Sequence, residues 1–179
     1  MHDPRAPHLI ALKRILRFIR GTLHLGLLLR PSSSNELMVY SDADWTGCPN
    51  TYQSTSGYAV FFGDNLILWS SKRQYTVSRS NAEAEYYDVS NIVAEASWLR
   101  QLLQKLHAPL RRVVLVYCDN IRSVCMSFNS FQHQHTKHIE IDLHFVRERV
   151  AASHVRVLHV DNITQRRHLH QRPSFVDLR

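Results

Sequence analysis

Cysteine is scarce: the 179 residues hold only Cys48, Cys118 and Cys125, with no CxxC pair. That argues against a disulfide framework or a zinc ribbon and fits a reducing compartment. Long apolar runs are lacking too, since "LHLGLLL" is far too short to span a bilayer. Near the N-terminus Lys13, Arg14, Arg17 and Arg20 break every apolar run, unlike a signal peptide. The expectation is an intracellular protein, of cytoplasm or nucleus, that is not secreted. Acids are in the minority, 15 against 22 Lys and Arg, for a formal charge of +7 and a pI near 9.7. This basicity points to a polyanionic partner, nucleic acid before membrane. What is present suffices for a core: 44% of residues are hydrophobic, and the length suits one domain with flanking segments.

From His8 to Gly21, the residues Leu9, Leu12, Ile15, Leu16 and Ile19 recur at helical spacing opposite a basic face. "RPSSSN" (Arg30 to Asn35) reads as a linker. Strand-like runs follow at Leu37–Asp42, Tyr58–Gly63 and Leu66–Ser71, the last two joined by the hairpin signal "GDN". A long helix is expected from Asn81 to Leu106, then the apolar strand "RRVVLVYCD" and a short helix over Ile121–Phe128. The helical "TKHIEIDLHFVRERVAA" and a strand "HVRVLHV" complete the order. Such an order predicts an α/β fold with a mixed sheet.

Three acids stand at element ends. In "LMVYSDADWTG" the alternation puts Met38, Tyr40, Asp42 and Asp44 on one face. Asp42 and Asp44 read either as turn caps or as half of a metal site. On the long helix, Glu85 falls within about 40° of the line through Val89, Ile92, Ala96, Leu99 and Leu103. A carboxylate facing the core is costly unless it is paired or binds a cation. The helix dipole explains an acid near this end but not on this face; Glu83, on the opposite side, is expected in solvent. Asp119 tips the strand "VVLVYCDN", as a helix N-cap or as a ligand. Oxygen ligands suit magnesium or manganese rather than zinc, and such clusters hold two ions for in-line attack on a phosphodiester.

The elements "SDADWTG", "STSGY", "WSSKRQ", "SRSNAEAEY", "CDN" and "TKHI" occur in that order. With their spacing, residues 36–160 closely resemble the ribonuclease H domain of copia-type LTR retrotransposon polyproteins. "HLIALKRILRFIRGTLHLGL" resembles the connector after the reverse transcriptase, making residues 1–35 connector and linker and 161–179 a divergent tail. The family's Tyr-x-Asp-Asp motif of the reverse transcriptase is absent, so the chain reads as a fragment of a larger design. The resemblance implies a ribonuclease H-like fold with a mixed five-stranded sheet flanked by helices. It implies hydrolysis of the RNA strand of an RNA–DNA hybrid by water, with two Mg2+ (or Mn2+) ions and no small-molecule cofactor. Asp42, Glu85 and Asp119 would be catalytic and metal-binding, with Asp44 a neighbour of unassigned role. Asn120, Lys72, Arg73, Ser78, Arg79, Ser80, Lys137 and His138 are candidate contacts to the hybrid, told from DNA by its 2′-hydroxyls. Surface roles remain open for each of these lysines and arginines. An ancestral reverse transcriptase domain is the implied protein partner, and no membrane is expected.

The tail departs from this pattern. The family places a fourth acid after the last strand, in a segment resembling "ADIFTKGL", whereas this chain reads "VDNITQRRHLHQRPSFVDLR". Spelled with one choice of codons, Arg166 to Pro173 is CGC AGA CAT CTT CAC CAA AGG CCT. Shifted by one nucleotide it gives Ala-Asp-Ile-Phe-Thr-Lys-Gly. The expectation is a frameshifted tail lacking both the fourth ligand and the final helix, with Asp161 too early to substitute. A genomic sequence that restores no such segment in another frame would contradict it. Asp88, where the family has a small apolar residue, lies about 60° off the stripe and either disturbs packing or reaches solvent.

The absent fourth acid leaves two readings, an active or impaired nuclease and a non-catalytic nucleic-acid-binding relic. A sugar-nucleotide transferase reading of "DAD" lacks a nucleotide-binding domain. A zinc reading of His133, His135 and His138 lacks a fourth ligand. His159, ending the last strand, is an edge histidine or a proton-transfer group.

Overall fold

The computed structural model describes residues 5–32, 34–128, 139–171 and 175–177, and the chain divides into two compact units. In the smaller, the basic amphipathic stretch forms α1 (Ala6–Thr22), with a proline in its first turn where no N–H is needed. No residue of α1 is buried. β1 (Leu25–Leu27) follows and pairs antiparallel with β7 (Phe175–Asp177).

The larger unit, residues 30–172, runs β2 (Leu37–Asp44), β3 (Thr55–Phe62), β4 (Asn65–Arg73), α2 (Asn81–Lys105), β5 (Val114–Cys118), α3 (Ile121–Phe128), α4 (Glu140–Ala151), β6 (Val155–His159) and α5 (Asn162–Gln171). The strands form one sheet in the order β4-β3-β2-β5-β6. β2 pairs antiparallel with β3 and parallel with β5, and β5 parallel with β6. The mixed five-stranded α/β sheet is the expected one. Gly63, at φ +59, makes the β3–β4 turn in a conformation that a side chain would strain.

The sheet buries different residues on its two faces. Val39, Val116 and Val157 pack with Val89, Ile92, Val93 and Ala96 of α2 and with Leu143 and Val146 of α4. On the other face Tyr40, Phe61 and Leu66 form a second cluster with Tyr117 and Leu169 of α5. The Tyr40 and Tyr117 rings stack at 5.0 Å. α2 starts at Ser80, whose hydroxyl accepts the Glu83 N–H at 3.2 Å. Glu83, expected in solvent, is half-buried because its carboxylate accepts the Arg79 N–H at 2.9 Å and so ties down the entering loop.

The final helix expected to be missing is present. α5 lacks an apolar stripe and is held largely by polar contacts, which is why hydrophobic periodicity does not reveal it. Gln165 donates from Nε2 to the Ser41 carbonyl at 3.1 Å, and His168 Nδ1 lies 3.3 Å from the Tyr40 hydroxyl. Leu169 supplies its apolar contact.

Candidate metal centre

Parallel pairing brings the acids together. Tyr40 of β2 lies opposite Tyr117 of β5, so continuing the register by two residues sets Asp42 against Asp119 at the carboxyl ends of both strands. Ligands gather at such ends because the following loops converge there. α2 enters from the sheet's other face: Glu85, 2% exposed, accepts the Ala43 N–H on Oε1 at 3.1 Å. Ligand atoms of Glu85, Cys118 and Asp119 all lie within 4.8 Å of one another. Asp42 stands beside this trio, and its charge is felt by Glu85 as that of Asp119 is felt by Asp42.

Two open alternatives close here. Asn120, not Asp119, caps α3, its Oδ1 accepting the N–H groups of Arg122 and Ser123 at 3.0 and 3.3 Å. Asp119 is therefore released from capping, and its buried Oδ1 has no hydrogen-bond partner among the described residues. Asp44 instead folds over the turn, its carboxylate filling the space a side chain at Gly47 would need.

The electrostatics are those of crowded carboxylates. Burial, then the charge of Asp119, pushes Glu85 up to about 8 against the pull of the Ala43 N–H; the two are close enough to share a proton. Asp42 is raised by burial, Asp119 and Asp44, while the Arg166 guanidinium lowers it. Burial drives Cys118 up to about 12, keeping it a thiol, with Sγ 3.8 Å from Glu85 Oε2. Sequence reasoning weighed Cys118 only for disulfides and zinc ribbons and missed its place in this wall; its position just before the strand-tip acid was the available signal.

Like-charged carboxylates, with Glu85 buried, Asp119 half-buried and Asp42 exposed, and with one Asp119 oxygen lacking a partner among the described residues, form an oxygen set suited to a hard divalent cation. Asp42, Glu85 and Asp119 fit that role. α5 contributes no acid and instead sets Arg166, next in sequence to the docked Gln165, where its charge acts on Asp42. Asp161 is exposed and hydrogen-bonded to Thr164 in the first turn of α5, which lowers its pKa and occupies it there. Arg166→Asp is expected to raise Mn2+ affinity several-fold in a calorimetric titration; unchanged affinity would contradict the electrostatic role assigned to Arg166.

The expected hybrid contacts fall into separate groups. Lys72 and Arg73 are exposed at the end of β4, and Arg79 is exposed before α2. Ser78 is 5% exposed and donates to Gln74 Oε1 at 3.0 Å, so it supports the loop from within. Ser80 and Asn120 serve as caps. His159 lies with Nε2 3.1 Å from the Asp119 carbonyl, fixing the strand tip. Lys137 and His138, with His133 and His135, lie outside the described residues.

No family model matches the chain. It is 44% identical over 165 residues, 92% of its length, to the retrovirus-related Pol polyprotein from transposon RE1 of Arabidopsis thaliana. It spans only 11% of that relative's length. Among solved structures, it resembles LC11-RNase H1, isolated from compost by a metagenomic approach, at TM-score 0.53 and 18% identity over 76% of this chain and 91% of that one. The same enzyme in complex with an RNA/DNA hybrid gives 0.51 and 17% over 74% and 90%. The protease-reverse transcriptase of prototype foamy virus gives 0.51 and 13%, over 74% of this chain and 18% of that one. No helix among the described residues is long and apolar enough to cross a membrane. An Arabidopsis relative matched along nearly the whole chain, and a sheet shared with solved ribonucleases H, place this protein in the family of copia-type, retrovirus-related Pol polyproteins, with a ribonuclease H fold.

Proposed function

We propose that this chain is a ribonuclease H domain that hydrolyses the RNA strand of an RNA–DNA hybrid. The observation that carries the reading is the meeting of Glu85 and Asp119, with Asp42 beside them, at one end of the sheet. Bound there, Mg2+ or Mn2+ supplies Lewis-acid neutralisation of the phosphate and of the departing oxygen. The chain's own part is to hold and aim. The Ala43 N–H fixes one oxygen of Glu85, and the Asn120 cap leaves Asp119 available. Exposed Lys72, Arg73 and Arg79 add cationic charge for the backbone phosphates. A reverse transcriptase partner belongs to the same proposal, supported by the connector-like sequence of residues 1–35.

One observation favours a second reading, a hybrid-binding relic that does not cut. The helix that follows β6 offers Arg166 to Asp42 where a further acid is expected. A single assay separates the two: labelled RNA–DNA hybrid, RNA duplex and DNA duplex, each with Mg2+ and then Mn2+. The nuclease cuts only the RNA of the hybrid and stops when metal is chelated. The relic retains the hybrid without cutting it.

A further inference from the structure

We infer that Asp88 is an additional ligand for a divalent cation, standing in from α2 for the carboxylate that α5 does not provide. The inference rests on the metal-site reading above and extends it to a residue outside the inherited pattern.

Asp88 is 1% exposed, and neither carboxylate oxygen has a hydrogen-bond partner among the described residues. An orphaned carboxylate at that depth is among the costliest groups a core can carry. It does not reach solvent, one of the two outcomes its sequence position allowed. It stands three residues after Glu85, so both carboxylates leave the same side of α2, about 60° apart. The two meet adjacent residues of β2: Glu85 takes the Ala43 N–H, while Asp88 lies by the backbone of Asp42 and the Ser56 hydroxyl. Those two groups temper its charge. Glu85 and Asp42 are the charges that act on it most strongly, and both are acids. Lys72 and Arg73 line the same cleft, yet neither hydrogen-bonds to it.

Carboxylates from one helix at i and i+3 share the spacing by which helices present paired ligands to metal ions. A cation between Glu85 and Asp88 neutralises both. Its class is a hard divalent ion, Mg2+ or Mn2+, because every donor is a carboxylate oxygen.

The test uses the whole chain, stripped of metal, with Mn2+ as the probe. Thermal unfolding and calorimetric titration are measured for the wild type, Asp88→Asn and Asp88→Ala. Asn keeps the volume and Ala removes the polar group, and a cooperative melt identifies each folded variant. The expected result is at least a tenfold loss of Mn2+ affinity in both variants and a smaller Mn2+-induced rise in melting temperature. If the wild type binds Mn2+ and both variants bind it equally well, Asp88 is a buried burden and the inference is overturned, while the metal site itself stands. If the folded wild type binds no Mn2+, both fall.

Discussion

Asp119→Asn is expected to abolish hybrid cleavage while making the metal-free protein more stable. A loss of roughly 10²- to 10³-fold or more follows from removing one charged ligand around a phosphodiester. The gain in stability has a separate cause. Asp119 has a buried oxygen without a hydrogen-bond partner among the described residues, and its charge is the neighbouring charge that most strongly raises both Glu85 and Asp42. Neutralising it relieves that repulsion, and each kcal/mol recovered raises the melting temperature by about 2–4 °C in a chain of this size. Activity and melting measured on one preparation check the pairing. A variant that loses activity and also melts lower would assign Asp119 a structural role.

The metal-free protein is also expected to lose stability as pH rises from about 5 to 8.5. Glu85 is raised from 4.5 to about 8, so over that window the folded chain binds a proton that the unfolded chain has released. Stability is then greatest near the low end, falls through the window, and levels off above 8. Asp88 and Asp42 are raised too and act in the same direction. The thiol of Cys118, raised to about 12, adds nothing until the unfolded thiol ionises near 9. With each pKa unit worth about 1.4 kcal/mol, the Glu85 contribution is at most roughly 5 kcal/mol, lowered by the sharing of protons among the acids. Urea unfolding across this range, with Glu85→Gln beside the wild type, isolates it from the histidines. The variant should flatten part of the slope, leaving the share of Asp88 and Asp42, and saturating Mn2+ should reverse the wild-type trend. Parallel slopes for the two proteins would mean that Glu85 ionises normally.

The sheet was legible because its signals are local. Alternation and the "GDN" turn mark β2, β3 and β4, and a long apolar helix against an apolar strand gives the α/β order. Glu85 was legible because a helix converts spacing into direction, and an acid aligned with Val89 and Ile92 faces the core those residues make. Asp119 was not decidable from sequence, since a cap and a ligand look alike there until Asn120 is seen making the cap. α5 was not legible at all, as its attachment through Gln165 and His168 leaves no hydrophobic period to read. Asp88 was visible as an anomaly, but 60° off an apolar stripe is compatible with either surface or core. Only the packing of α2 on β2 and β3 places it inside.

The reading of the whole molecule depends on a carboxylate cluster shaped for a cation, and proton-linked metal binding tests that most directly. Metal-free chain is titrated with Mn2+ at pH 7 in two buffers of different ionisation enthalpy. Binding should release protons, with Glu85 supplying about one per ion and Asp88 a further share, and both the binding and the Glu85 proton should be lost in Glu85→Gln. A folded chain that binds no Mn2+, or binds it without proton release and equally in Glu85→Gln, would contradict the assignment.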